Sequence, residues 1–260
     1  NNIMAPSNKV LKIAEAEGYP VFVAWAKLIR ICGMSRLTAL LGPVIYTEFG
    51  TAGARYDSEP ELYNAFFADL DEIAAVFGAN LDYDGLKSFD TSGYGGSVEG
   101  WLKLANSLRL RLAMRISKVN PSLSQQQAEK AINNPTGIIV SNSDNFMISN
   151  NGARFLPARV GLGWGDAKMS ATMESVLIGY EDPRLGIYFQ PVSDASLVTD
   201  HPEHPYKGVR AGAVLVAKGD RLPYSDLGAV LDTWTDRHWL TSAEMHLALA
   251  EASLRGYNTG

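Results

Sequence analysis

Cysteine is nearly absent. Cys32 is the only one in 260 residues, so no disulfide can form within the chain. Set in an apolar helical stretch, a lone thiol of this kind reads as a small buried hydrophobe. Long apolar runs are missing as well. "VFVAWA" at 21–26 is broken by Lys27 and Arg30 and falls far short of the roughly 20 apolar residues that cross a bilayer. Blocks of like charge are missing too: 23 Lys and Arg are interspersed with 28 Asp and Glu for a net charge of −5, which predicts no nucleic-acid partner. The opening residues, "NNIMAPSNKV", lack the charged start, apolar middle and small-residue cleavage site of a secretory signal. Histidine is scarce, with four in all. The one suggestive pair, His201 and His204 in "HPEHP", is flanked by prolines that forbid the helix needed to align it, so neither a metal site nor a cofactor is expected. "GLGWG" at 161–165 has neither the spacing nor the strand-to-helix setting of a nucleotide loop.

What is present is apolar material for a substantial core, with 46% hydrophobic and 20% charged residues. Helical punctuation dominates the first half. Residues 20–41 open at Pro20 and stop at Gly42-Pro43. Residues 58–78 begin with Ser58 and Glu61 in capping-box spacing, and Leu62, Phe66, Leu70, Ile73 and Phe77 recur at helical intervals. The glycine-rich "TSGYGGS" leads into a helix over 101–117, and Asn120-Pro121 starts a shorter one, "PSLSQQQAEKAI". From 136 the texture loosens. Asn151-Gly152 is a hairpin signal, and 181–240, with five of the twelve prolines, predicts ordered loops. A last helix, "TSAEMHLALAEASLRG", starts with Thr241 and Glu244 in capping-box spacing and stops at Gly256. The expected fold is mainly α, a solenoid of helix pairs with a loop-rich, small β-hairpin region. It is expected as a single domain over 1–260, with a helical framework at about 5–133 and 241–256 and a loop-rich region at about 134–240.

The helix "WLKLANSLRLRLAMRIS" carries Lys103, Arg109, Arg111 and Arg115 inside a leucine-rich stretch. At about 100° per residue, Trp101, Leu104, Ala105, Leu108, Leu112 and Ile116 share one face while Leu110 and Met114 lie opposite, the pattern of a helix sandwiched between neighbours. Arg115 falls within the main apolar stripe and Arg109 on its border. A buried guanidinium needs a carboxylate partner. Glu244 and Glu251, seven residues apart on the last helix, are the expected partners of Arg109 or Arg115 in a structural clamp.

This helix with "NPSLSQQQAEKAI" resembles the signature of the SusD/RagB-like family, surface nutrient-binding lipoproteins of Bacteroidota. "LLGPVIYTEFG" (with Ile45 where proline is usual), "YDSEPELYNAFFADLDEIAAVF", "EDPRLGIYFQP", "YKGVRAG" and "LTSAEMHLALAEASLRGYN" follow in the family's order. The resemblance implies tetratricopeptide-like helix pairs with a loop-rich ligand side. It implies a non-catalytic protein, lipid-anchored at the outer surface of the outer membrane, that captures an oligosaccharide, or alternatively a peptide, for a SusC-like TonB-dependent transporter. It also implies a signal and a lipid-bearing cysteine upstream of residue 1, and a further C-terminal portion.

Sugar rings offer a C–H face that stacks on aromatics and hydroxyls that pair with polar side chains. Loop aromatics are therefore the candidate ligand contacts: Tyr94, Trp164, Tyr188, Tyr206, Trp234 and Trp239, with Asp166 beside Trp164 as a hydroxyl acceptor. Trp164 leads because its glycine neighbours leave the ring accessible, whereas Trp25 and Trp101 read as core. The competing chemistry is a helical glycoside hydrolase, with an acid pair drawn from Asp166, Asp182, Asp232 or Asp236.

Overall fold

The computed structural model describes residues 3–149, 159–200, 202–233 and 236–260, without the side chains of residues 232 and 233. The Asn151-Gly152 turn, His201, Trp234 and the Asp232 carboxylate therefore lie outside the described residues. The chain divides into two compact units, Asn1–Ile148 with His238–Gly260, and Ser149–Arg237.

The first unit is helical. Helix α1 (Met4–Glu17) ends at Gly18 with φ +73°, and Pro20 opens α2 (Pro20–Leu41) at a position where its missing N–H is no loss. Helix α3 (Glu59–Gly78) carries the expected capping box between Ser58 and Glu61. Helix α4 (Val98–Arg115) starts three residues earlier than its apolar pattern indicates, because the Ser97 side chain accepts from the Gly100 N–H and caps it there. Asn120 caps α5 (Pro121–Ile132) in the same way, through the Leu123 N–H. Strand β1 (Phe146–Ser149) pairs with β2 (Asp236–Leu240) in a two-stranded sheet.

Consecutive helices pack on one another from α1 through α5, and α4 also packs against α2 and the last helix of the chain (Ser242–Leu254). Their apolar faces close one core, with Leu28, Ile31, Phe66, Leu70, Phe77, Leu104 and Leu108 all inaccessible to water. Helix α4 runs through it. Leu108 and Leu112 are buried on one side and Leu110 and Met114 on the other, as the two apolar faces require. Cys32 lies in this core, and burial pushes its thiol up to about 12.

Two loop staples close the unit. The buried Asp57 accepts the backbone N–H groups of Tyr46 and Thr47 and the Thr47 hydroxyl, which ties "GPVIYTE" to the start of α3. Asp90 accepts the Gly96 N–H and the Trp101 Nε1–H, both within 2.8 Å.

The second unit has a smaller core of Met169, Leu177 and Phe189, flanked by Leu185, Tyr188, Tyr206 and Leu227. It contains α6 (Ala171–Gly179), the single turn α7 (Leu185–Tyr188), short 3₁₀ and π-helical turns, and loops held by isolated bridges such as Ser170 to Val209 and Phe189 to Leu227. Gly208 is needed at one of these crossings, since a Cβ there would stand 2.4 Å from the Ser170 backbone. The last helix, α8 (Ser242–Leu254), returns to the first unit.

Candidate functional site

Trp164 is held on a five-residue π-helical turn, Arg159–Gly163. Its N–H donates to the Arg159 carbonyl at 3.0 Å, Gly165 returns to Gly161 at 2.8 Å, and the Asp166 N–H reaches Val160 at 2.9 Å. The turn closes because Gly165 takes φ +63° and because Gly161 leaves room for Leu227, whose Cδ1 would lie 2.3 Å from a Cβ. The ring above it is 52% exposed. The Arg159 guanidinium lies 5.1 Å from its centroid, a cation–π contact that fixes the plane of the indole.

Asp166 accepts from Lys218 at 3.2 Å and from Arg221 at 3.0 Å. Those two hydrogen bonds hold its carboxyl below the usual carboxylate range. The Arg221 Nε is buried with no hydrogen-bond partner among the described residues. An accessible aromatic face with one cation over it thus lies two residues from a carboxylate that holds two more. That combination offers a stacking surface for a pyranose ring and donors and acceptors for its hydroxyls.

The other sequence candidates are placed differently. Tyr188 and Tyr206 pack on the small core of the second unit, Tyr188 with the Arg184 guanidinium 5.8 Å from its ring centroid. In the helical unit, Tyr94 is stacked on Phe146 at 5.3 Å, meets Trp101 edge-on at 5.6 Å, and donates its hydroxyl to the Asp144 carbonyl at 3.0 Å. Trp239 is half-buried, with the Arg36 guanidinium 4.0 Å over its ring. Arg159, Lys218 and Arg221 were not foreseen. The two cations that pair with Asp166 lie more than fifty residues downstream, and no local pattern connects them to it.

The arginine clamp also differs from expectation. Arg109 is 2% exposed, and its partners are Asp71 of α3 at 2.7 Å and the Gln127 Oε1 of α5 at 2.5 Å, not a glutamate of α8. Lys130 meets the same Asp71 oxygen at 2.6 Å. Arg115, the last residue of α4, is exposed and touches the Tyr63 hydroxyl, so it does not enter the core. It is Arg111 that binds Glu244, through Nε and a terminal nitrogen, to the two carboxylate oxygens. Glu251 pairs with Arg255, the residue that caps the end of α8, at 2.7 Å. Glu244 is therefore withheld from the expected capping box, and Thr241 makes no side-chain cap. As for an acid pair, Arg184 holds Asp182 down at about 2 and Asp166 is likewise lowered, the opposite of what a general acid requires.

With this geometry in place, the chain can be set beside known proteins. The SusD-like family, described as SusD and RagB outer-membrane lipoproteins, matches residues 1–260. A chitin-binding SusD homologue from Flavobacterium johnsoniae is 36% identical, with a TM-score of 0.88 over 100% of this chain and 53% of its own. A SusD homologue from Bacteroides vulgatus ATCC 8482 is 35% identical, with a TM-score of 0.82 over 98% of this chain and 51% of its own. A further solved structure, described as a chitin-binding protein, is 30% identical, with a TM-score of 0.79 over 98% of this chain and 56% of its own. The chain thus spans about half the length of these relatives. None of the curated proteins compared matches it.

Proposed function

Because the chain belongs to the SusD-like family of outer-membrane lipoproteins, we propose that it is a non-catalytic surface protein that binds a glycan, with Trp164 as its stacking platform. The observation that carries this reading is the exposed indole that follows a π-helical turn, with Arg159 over its ring, two residues before the Asp166 carboxylate that holds Lys218 and Arg221. A large aromatic fixed in the open by its own backbone costs apolar exposure, and stacking on a sugar recovers it. The mechanism is binding and release. The C–H face of one ring settles on the indole, and Asp166 accepts from a hydroxyl. Delivery to a SusC-like TonB-dependent transporter completes the role. Two similar solved proteins are described as chitin-binding, so oligomers of N-acetylglucosamine are the first ligands to test.

The test is isothermal titration calorimetry of chitin oligosaccharides, with other plant and microbial glycans in parallel, against the parent and Trp164→Ala. Loss of the ring is expected to weaken binding by about tenfold, roughly 1.4 kcal/mol. Equal affinity in parent and variant removes Trp164 from the site. A complete absence of heat across the panel overturns the glycan reading.

A further inference from the structure

A second feature of the helical unit is unconnected with Trp164. Arg36 of α2, Arg111 and Arg115 of α4, and Glu244 of α8 line one small pocket of about 170 Å³, closed by Ser35 and Leu112. Three arginines and a single glutamate thus line the same cavity. That carboxylate is already committed to Arg111 through two hydrogen bonds. Its charge is further offset because Glu244 stands in the first turn of α8, at the positive end of the helix dipole.

The protein answers little of the remaining charge. Arg36 donates to the Trp239 carbonyl at 3.5 Å, and Arg111 reaches the same oxygen at 3.4 Å. Arg115 touches the Tyr63 hydroxyl. Ser35 turns its own hydroxyl to the Cys32 carbonyl at 3.4 Å, so it supplies no counter-charge. A guanidinium carries five N–H donors in a fixed fork, and most of those on these three side chains have no protein acceptor among the described residues. The Arg36 guanidinium also lies over the Trp239 ring at 4.0 Å. Stacking fixes its fork in place before anything binds, which lowers the entropy lost on binding.

We propose that this pocket is an oxyanion site, which takes a sulfate, phosphate or carboxylate group between the forks of Arg36, Arg111 and Arg115. Planar or tetrahedral oxyanions accept paired hydrogen bonds from the forks of Arg36 and Arg115 and a further one from the Arg111 nitrogen that Glu244 leaves free, and neutralise the excess positive charge. The group can belong to a free inorganic anion or to an acidic sugar. The pocket is a binding site separate from the neutral-sugar platform, and its occupancy is independent of Trp164.

Sodium sulfate is titrated into the parent, Arg36→Gln/Arg115→Gln and Arg36→Lys/Arg115→Lys by calorimetry, at constant ionic strength set with sodium chloride. Sulfate is kept below about 10 mM, where its general stabilising effect is small. Both residues are exposed, so neither substitution buries a new group. One sulfate per chain is expected, with affinity at least about tenfold weaker in the glutamine variant and partly retained in the lysine variant. A sulfated disaccharide that binds more tightly than sulfate, while its unsulfated counterpart does not bind at this pocket, identifies an acidic sugar as the source. Equal affinity of the sulfated sugar and sulfate identifies the free anion. No binding by the parent, or the same affinity in parent and glutamine variant, overturns the proposal.

Discussion

Arg109 is among the largest fully buried side chains in the protein, and its position follows from two opposing demands. Its methylenes fill the space between α3 and α5, and its charge requires Asp71, Gln127 and, through Asp71, Lys130. That a charge enters the interior was legible in "WLKLANSLRLRLAMRIS". Its partner was not, since Asp71 sits in an ordinary amphipathic helix with nothing local to mark it. Arg109→Ala should cost about 3 kcal/mol in urea denaturation, through a cavity and an orphaned Gln127 amide. Arg109→Met, which keeps the volume and removes the charge, should cost nearer 1 kcal/mol, and a reversed order would contradict this account. Acid stability belongs to the same scale. Burial alone would raise Asp57, Asp71 and Asp144, but hydrogen bonds and nearby cations lower all three below 3.8. Between the folded and unfolded values the unfolded chain binds more protons, so stability rises with pH there. The contribution is complete above about pH 5 and is lost as pH falls through the folded values, which urea midpoints measured from pH 7 down to 3 should follow.

At the scale of elements, α8 is joined to α4 by the bidentate pair of Glu244 with Arg111, although 133 residues separate them in the chain. Helix boundaries in the first half were legible because their signals are local: Pro20, the Ser58–Glu61 box and Asn120-Pro121 each act within one turn. The Thr241–Glu244 box failed for the converse reason, as a distant arginine outcompetes the local backbone N–H for the same carboxylate. A double-mutant cycle on Arg111→Met and Glu244→Gln should return a coupling energy of about 1 kcal/mol, modest because Glu244 is 43% exposed. A value near zero would mean that α8 is held without this pair, by the apolar contacts of Met245 and Ala252 and the hydrogen bonds of Ser242 and His246. The motifs behind the family resemblance are of this structural kind. In "YKGVRAG", Lys207 and the Gly208 N–H both bind Glu174 of α6, and Val209 bridges Ser170. In "EDPRLGIYFQP", Gln190 ties its backbone and side chain to Asp226 and Leu227. Such segments reveal a fold readily and a ligand hardly at all.

At the scale of the molecule, the two units differ in how much apolar surface secures them. One large cluster threads every helix of the first, while three buried residues anchor the second. Among the described residues, amide hydrogen exchange should therefore be faster in the second unit than in the first, and slowest in α3 and α4. Comparable protection in both units would contradict this. The division also explains why the candidate platform was only half legible. Trp164 and its glycines are contiguous, so the exposed ring could be anticipated from the sequence. The cations that pair with Asp166 arrive from 218 and 221 through loops whose course no periodicity encodes. The lone thiol has a practical consequence at this scale. Cys32 is shut inside the larger cluster and kept protonated to about pH 12, so an alkylating reagent meets it only when those helices part. The chain thus carries one native chemical clock, whose rate of labelling times the opening of the helical unit and is blind to motions of the loops that bear Trp164.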